Sequence, residues 1–433
     1  MLRKVSRKGA KARRRRTAAA AALRCRPVSG GAANAGRERS RGATRFRLQL
    51  SAFRLPSGCT WHLLLRLPSF PFLVSLPVVR VHSLADYSLN ELEQLFAGWG
   101  FKPAHAARVL RAHYDCEGGS DVFRGMRLPD ELQARVRSEL SAGALSIAAR
   151  QVAADGTRKL LLQLADARTV EAVLMPGFRA ERAAGCVSSQ VGCAMRCDFC
   201  ATTKTGLERN LTAGEIVEQF LALRREACDA GCRLQTIVFM GMGEPLLNLD
   251  AVVESIRRIA DNRIGGLGWR QVTVSTVGIV PGIDALNATG LNINLALSLH
   301  APDDATRAEL IPTAKGFPIA DILAAADRFQ AARGRPVIIQ YCLLKGVNDS
   351  VEQALQLADL LNGRRMHVNL LRYNPTGPGL RGRVYEPTAD DVAAGFAAEL
   401  RSRGVVAHFR LSRGPDIDAA CGQLREKRLK AEG

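Results

Sequence analysis

The chain has 433 residues with 61 Lys+Arg against 41 Asp+Glu, a formal charge of +20, and 47% hydrophobic residues. That content excludes a wholly disordered protein, and 39 Gly with 18 Pro excludes a collagen-like repeat. The charge is concentrated: residues 1–82 hold 19 of the basic residues and one acid, Glu38, leaving 42 basic against 40 acidic residues over the other 351. The near-neutral remainder gives no ground for a broad electrostatic grip on nucleic acid.

Residues 1–47 are an Arg/Ala/Gly/Ser tract with Arg13 to Arg16 in a row, where self-repulsion and scarce large apolar residues predict disorder. Leu63 to Val79 is apolar, but Arg66, Pro68, Pro71 and Pro77 interrupt it, and it is too short and broken to span a membrane. No Met lies between Met1 and Met126. Translated upstream sequence is therefore the favoured reading of residues 1–82, ahead of a transit peptide or an RNA-binding arm. Ser88-Leu-Asn-Glu91 is a capping box followed by Leu89, Leu92 and Phe96 at helical spacing. Further helices are expected after Pro103 and from Pro129 through Leu140, giving a small helical domain over 84–142. Ile147 to Ala153 and Lys159 to Leu164 flank Asp155-Gly156 as a hairpin, and Val170 to Met175 adds a strand, so 143–180 reads as a β extension.

From residue 181 to 425 strands and helices alternate. Apolar runs near 186–191, 235–240, 271–276, 292–299, 336–343, 366–373 and 405–411 read as strands. Thr212-x-x-Glu215, Asn248 and Thr388-x-x-Asp391 read as helix starts. About six β–α units, fewer than the eight of a closed barrel, predict an α/β fold with a parallel sheet, its ligands at the carboxyl ends of the strands.

Eleven cysteines and no secretory signal argue against a disulfide scaffold. Cys193, Cys197 and Cys200 form a C-x3-C-x2-C triplet just after the first core strand. Three thiolates this close suit a soft metal centre, zinc or an iron–sulfur cluster, and leave a fourth coordination position open. Gly241-Met-Gly243-Glu244-Pro245 reads either as a tight turn or as a backbone approach to a ligand, with an acid to hold an ammonium group. Glu171, in an otherwise apolar strand, faces solvent or points inward as a base. By spacing alone Cys186 and Cys421 are small buried hydrophobes, and His300 a core histidine.

The triplet resembles the radical S-adenosylmethionine (SAM) superfamily. The longer string Cys186-Val-Ser-Ser-Gln-Val-Gly-Cys193, with Arg209-Asn-Leu-Thr212, Gly241 to Leu246 and Asp416-Ile-Asp-Ala-Ala-Cys421-Gly-Gln-Leu424, resembles the RlmN/Cfr family of RNA adenosine methyltransferases. The resemblance runs from about Leu84 to Leu424. It implies a partial (β/α)6 radical SAM barrel, a 4Fe-4S cluster on Cys193, Cys197 and Cys200, and SAM held by Gly243, Glu244, Ser275, Ser298, Leu299, His300 and Asn374. It further implies that Cys421 carries the methyl group, that Glu171 takes the C2 proton of the adenine, and that Cys186 resolves the protein–RNA bond through a transient disulfide with Cys421. The implied substrates are 23S rRNA and tRNA, docked on the 84–142 helices. The implied setting is a cytoplasmic monomer, off the membrane, served by an external electron donor and a thiol reductant. C8 methylation of the Cfr type and a non-catalytic metal-stabilised nucleic-acid binder are the alternatives. Pro415, Gln340 and the longer 177–185 segment depart from the family pattern.

Overall fold

The computed structural model describes residues 82–115, 123, 126–141 and 143–424. The expectations for residues 1–81, including the apolar 63–79 stretch, lie outside the described residues. Among those described, no helix is long and apolar enough to cross a membrane.

The amino-terminal helices form where their caps direct. In α1 (Leu89–Gly98) the Ser88 N–H donates to Glu91 Oε2 (2.7 Å) and the Glu91 N–H to Ser88 Oγ (3.3 Å), the reciprocal pair of a capping box. Helix α2 spans His105–Tyr114 and α3 spans Asp130–Glu139, so Pro129 stands just before the helix rather than in its first turn. These helices share one hydrophobic cluster with the rest of the chain. Leu92, Phe96, Leu110 and Tyr114 belong to the same core as Ile216 and Phe220 of α4 (Ala213–Asp229).

One ten-stranded sheet runs through the molecule. Strands β1 (Ser146–Val152), β2 (Arg158–Gln163) and β3 (Thr169–Pro176) pair antiparallel, and β3 pairs antiparallel with β4 (Arg182–Cys186). From β4 onward every pairing is parallel, through β7 (Arg233–Phe239), β8 (Val272–Thr276), β9 (Asn294–Ser298), β10 (Val337–Leu343), β11 (Met366–Arg372) and β12 (Val406–Arg410). Helices α4, α5 (Leu249–Ala260), α6 (Val280–Ala288), α7 (Asp304–Leu310) with α8 (Ile319–Arg333), α9 (Val351–Leu361) and α10 (Asp390–Ser402) fill the crossovers. The result is six β–α units followed by a seventh parallel strand, the number of units read from the alternation and the partial barrel that the family resemblance implies.

One strand end is corrected, and two helices start where expected but without the side-chain caps. The strand expected over 186–191 ends at Cys186, and a separate two-stranded sheet follows, β5 (Gln190–Gly192) with β6 (Leu207–Asn210). The break comes from Gln219 of α4, whose Oε1 accepts from the Ser188 N–H (2.8 Å) while its Nε2 donates to the Ser188 carbonyl (3.0 Å). Asn248 does not cap α5 with its side chain: its Nδ2 donates to the carbonyls of Ser189 and Leu211, both at 2.8 Å. Thr388 likewise leaves α10 uncapped, and its hydroxyl donates to Asp349 Oδ2 (2.8 Å).

Ser188 and Gln219 are both fully buried. Gln219→Leu strips two main-chain groups of their partners, and denaturant unfolding should show a loss of about 2 kcal/mol or more.

Candidate active site

The triplet lies on a loop clasped by β5 and β6. The Cys193 N–H donates to the Gly206 carbonyl (2.9 Å), and Cys200 turns back to donate to the Cys197 carbonyl (3.0 Å). The Thr203 hydroxyl donates to the carbonyls of Cys197 (3.1 Å) and Cys200 (3.0 Å), which fixes the loop. Cys193 and Cys197 are buried, Cys200 partly so, and all three are free thiols. Burial pushes the Cys193 thiol up to about 12 and raises Cys197 and Cys200, and the charges of neighbouring cysteines add to the first two. Burial outweighs the Arg307 charge beside Cys197 and the Lys204 charge beside Cys200, and a metal cluster would supply the further positive charge that favours the ionised form. Among the described residues no three Cys, His, Asp or Glu close on one point as ligands of a single ion do.

Past the strand ends lies a second group. Gly243 has φ +102°, and a Cβ there would fall 2.6 Å from Gln190 Cβ and 2.8 Å from Ser189 Oγ, so close packing against the β4–β5 connection requires the glycine. Glu244 is buried, with Oε2 accepting from the Val277 N–H (2.9 Å) and Oε1 from the Leu246 N–H (3.1 Å). Burial outweighs these bonds and pushes its carboxyl up to about 7. Ser275 Oγ and Ser298 Oγ face each other at 3.4 Å on β8 and β9. Leu299 is enclosed: its N–H donates to the Gln340 carbonyl (3.1 Å) and its own carbonyl accepts from Arg307 (2.8 Å). His300, at φ +59°, accepts the Cys342 N–H on Nδ1 (3.0 Å), and burial lowers its imidazole to about 3. The ring is thus neutral, with its proton on Nε2.

The carboxyl-terminal segment carries Cys421 to the triplet loop. The Ala201 N–H donates to the Gly422 carbonyl (2.7 Å), and the Thr202 hydroxyl to the Leu424 carbonyl (2.6 Å). Asn374 Nδ2 donates to the Cys421 carbonyl (3.4 Å), so this side chain addresses the loop itself. Cys421 is exposed. Burial raises its thiol and the Arg410 guanidinium lowers it. Cys186 is buried, and burial first, then the charge of Cys421, raises its thiol, so the two cysteines stand within electrostatic reach. Both are free thiols in this structure.

Register explains how Glu171 joins them. Directly opposed residues share a face. Gln151 of β1 opposes Lys159 of β2, Lys159 opposes Val173 of β3, Val173 opposes Cys186 of β4, and Leu161 opposes Glu171 in the adjacent row. Glu171 therefore lies on the face of Cys186. It is buried and pointed inward, where Lys159 Nζ stands 3.3 Å from its Oε1.

Sequence reasoning missed Lys159, Cys342 and Arg307. Arg307 is fully buried and donates to the carbonyls of Val277, Ser298 and Leu299, which ties two strand ends together. No local pattern marks it, because its partners lie on other elements.

Residues 187–358 match the model of the radical SAM superfamily. A probable dual-specificity RNA methyltransferase RlmN 1 of Opitutus terrae is 69% identical over 346 residues, covering 80% of this chain and 97% of that protein. The chain belongs to the RlmN family. A probable RlmN of Rhodopirellula baltica is 41% identical over 82% of this chain and 96% of its own length. The crystal structure of a radical SAM methyltransferase from Sphaerobacter thermophilus superposes with a TM-score of 0.74 at 40% identity, covering 79% of this chain and 99% of that one. RlmN membership makes the chain a radical SAM methyltransferase with a 4Fe-4S cluster and SAM as cofactors, and sets aside the non-catalytic reading. The donor set fits: free, desolvated thiols and a buried carboxylate both call for positive charge.

Glu244 gives a pH signature. Its carboxyl titrates near 7 when folded and at 4.5 as a free side chain. Its stabilising contribution is fully present below pH 4.5 and is lost as pH rises through 7, a change on the order of 3 kcal/mol. Chemical unfolding of the cofactor-free protein should show this slope, and Glu244→Gln should flatten it.

Proposed function

We propose that this chain methylates C2 of adenosine in 23S rRNA, at the peptidyl transferase centre, and of the adenosine beside the anticodon in tRNA. The observation that carries the reading is the docking of the Cys421 segment on the cluster loop, with Cys186 within electrostatic reach and Glu171 on the same face. The name shared by the relatives, dual-specificity RNA methyltransferase, supports both RNA substrates.

Cys193, Cys197 and Cys200 would hold the cluster. Gly243, Glu244, Ser275, Ser298, Leu299, His300 and Asn374 would bind SAM, with the Glu244 carboxylate receiving its ammonium group. When bound, these cofactors supply a methyl group and a carbon-centred radical. The chain's own residues do the rest. Cys421 takes the methyl on its sulfur and presents the activated carbon to the base. Glu171 accepts the C2 proton of the resulting adduct. The thiolate of Cys186 then attacks the Cys421 sulfur. The carbon–sulfur bond to RNA breaks with its electron pair going to the methylene carbon, which takes up a proton to become the methyl group. The Cys186–Cys421 disulfide is left for a thiol reductant. The helices over 84–142 dock the RNA, and the target nucleotide must leave its stack to reach Cys421. The enzyme works as a monomer in the cytoplasm with an external electron donor.

Mass spectrometry of ribosomal and transfer RNA from cells with and without the gene should show 2-methyladenosine only with it. Finding 8-methyladenosine in its place would overturn the C2 assignment. Cys186→Ala should accumulate a covalent protein–RNA adduct on denaturing gels, and Cys421→Ala should form none. Release of methylated RNA by Cys186→Ala at the normal rate refutes the resolving role.

A further inference from the structure

Lys159 is an unusual residue to find enclosed. It is 9% exposed, and lysine is among the side chains least often buried without a specific partner. Its ammonium stands 3.3 Å from Glu171 Oε1 and donates to the carbonyl of Asp418 at 3.3 Å. Asp418 lies three residues before Cys421, in the left-handed conformation at φ +53°, with the turn held by the Ala419 N–H donating to the Gly414 carbonyl (2.9 Å). Lys159, Glu171 and Asp418 line one cavity of about 160 Å³ together with Gln151, Leu161 and Asp416. The ammonium thus joins a strand of the β extension to the segment that bears the methyl-carrying cysteine.

Stability alone does not account for this ion. Burying a carboxylate with an ammonium costs much of what their attraction returns, and an apolar pair of the same volume commonly serves a core as well or better. Leu161, two residues along on the same face of β2, lines the same cavity, so this face accepts an apolar side chain. What an apolar side chain cannot do is grip a carboxylate and a distant main-chain carbonyl at once.

We infer that Lys159 is a positioning residue: its ammonium ties the carboxylate of Glu171 to the main chain of the Cys421 loop, so that the base and the sulfur bearing the RNA keep one fixed relation. This inference rests on the reading of Glu171 as the base that acts on the adduct. The contact matters after the adduct has formed. Methylation of Cys421 needs no base at Glu171 and does not depend on the tie.

The test uses the full-length holoenzyme with SAM, reductant and unmethylated 23S rRNA, and follows S-methylation of Cys421 separately from release of the covalent adduct. Lys159→Met, which keeps the aliphatic stem, should leave Cys421 methylation within about twofold of wild type. It should slow adduct release by about 10- to 100-fold. Lys159→Arg should restore most of the loss. Independently of turnover, hydrogen exchange over residues 413–424 of the cofactor-free protein should quicken in Lys159→Met and return toward wild type in Lys159→Arg. Equal losses in both partial reactions, or release at the wild-type rate while Glu171→Gln traps the adduct, would overturn the inference and leave the base reading intact. Normal release by Glu171→Gln would sink the base reading itself.

Discussion

Two hydrogen bonds between segments more than 200 residues apart hold the chemistry together. The Ala201 N–H meets the Gly422 carbonyl, and the Thr202 hydroxyl meets the Leu424 carbonyl. Both donors follow directly on Cys200, the last cysteine of the triplet, and both acceptors lie just beyond Cys421. A cysteine near the end of the chain is thereby held beside the triplet loop. Gln423 reinforces the arrangement: its Nε2 donates to the Pro375 carbonyl (3.3 Å) and its Oε1 accepts the Ala420 N–H (3.2 Å). The grip is on the main chain on either side of Cys421, which leaves the residue itself exposed.

The electrostatics at the strand ends follow from the same geometry. Carboxyl ends of parallel strands gather carbonyl oxygens, and Arg307 answers three of them from within the core. Its guanidinium is lowered to about 10 by burial, with Cys197 opposing that shift, so even this cation is short of negative partners. Glu244 is in the mirror situation, a carboxyl whose main-chain donors do not offset its burial. The two opposite charges are held from the same residue, Glu244 by the N–H of Val277 and Arg307 by its carbonyl. A site preorganised in this way gains most when a ligand carrying both signs arrives, as an amino acid headgroup does.

Much of the fold was legible because it depends on local signals. Capping boxes at Ser88–Glu91 and Thr212–Glu215 fixed two helix starts, and apolar runs separated by helical stretches fixed the β–α alternation. The same signals misled wherever a distant partner competed for the side chain. Asn248 and Thr388 look like caps, yet each spends its polar group on another element. Strand β6 was invisible because Leu207 to Asn210 is short and mostly polar, and only pairing with β5 defines it. In the site, the triplet was legible from spacing, and Cys186 and Cys421 only through family resemblance. Lys159 and Arg307 were not legible at all, since an isolated charge carries no mark of the fold that will enclose it.

The antiparallel extension now has a physical role. A parallel barrel places ligands at its carboxyl rim, but it offers few inward-facing positions at the edge beside β4. Adding β3 antiparallel to β4 sets Val173 opposite Cys186 and moves Glu171 one step along the same face. Adding β2 brings Lys159 opposite Val173, diagonal to Glu171 and within reach of the Cys421 segment. The far edge is secured by that same segment: the Ala154 N–H donates to Asp416 Oδ2 (3.0 Å) and the Gly414 N–H to Asp155 Oδ2 (3.3 Å). The carboxyl-terminal segment therefore bridges the hairpin turn and the cluster loop. One end of the segment is thus fastened to the ten-stranded sheet at its β1–β2 turn and the other to the loop between β5 and β6 of the separate two-stranded sheet, so Cys421 sits between two anchors on different sheets.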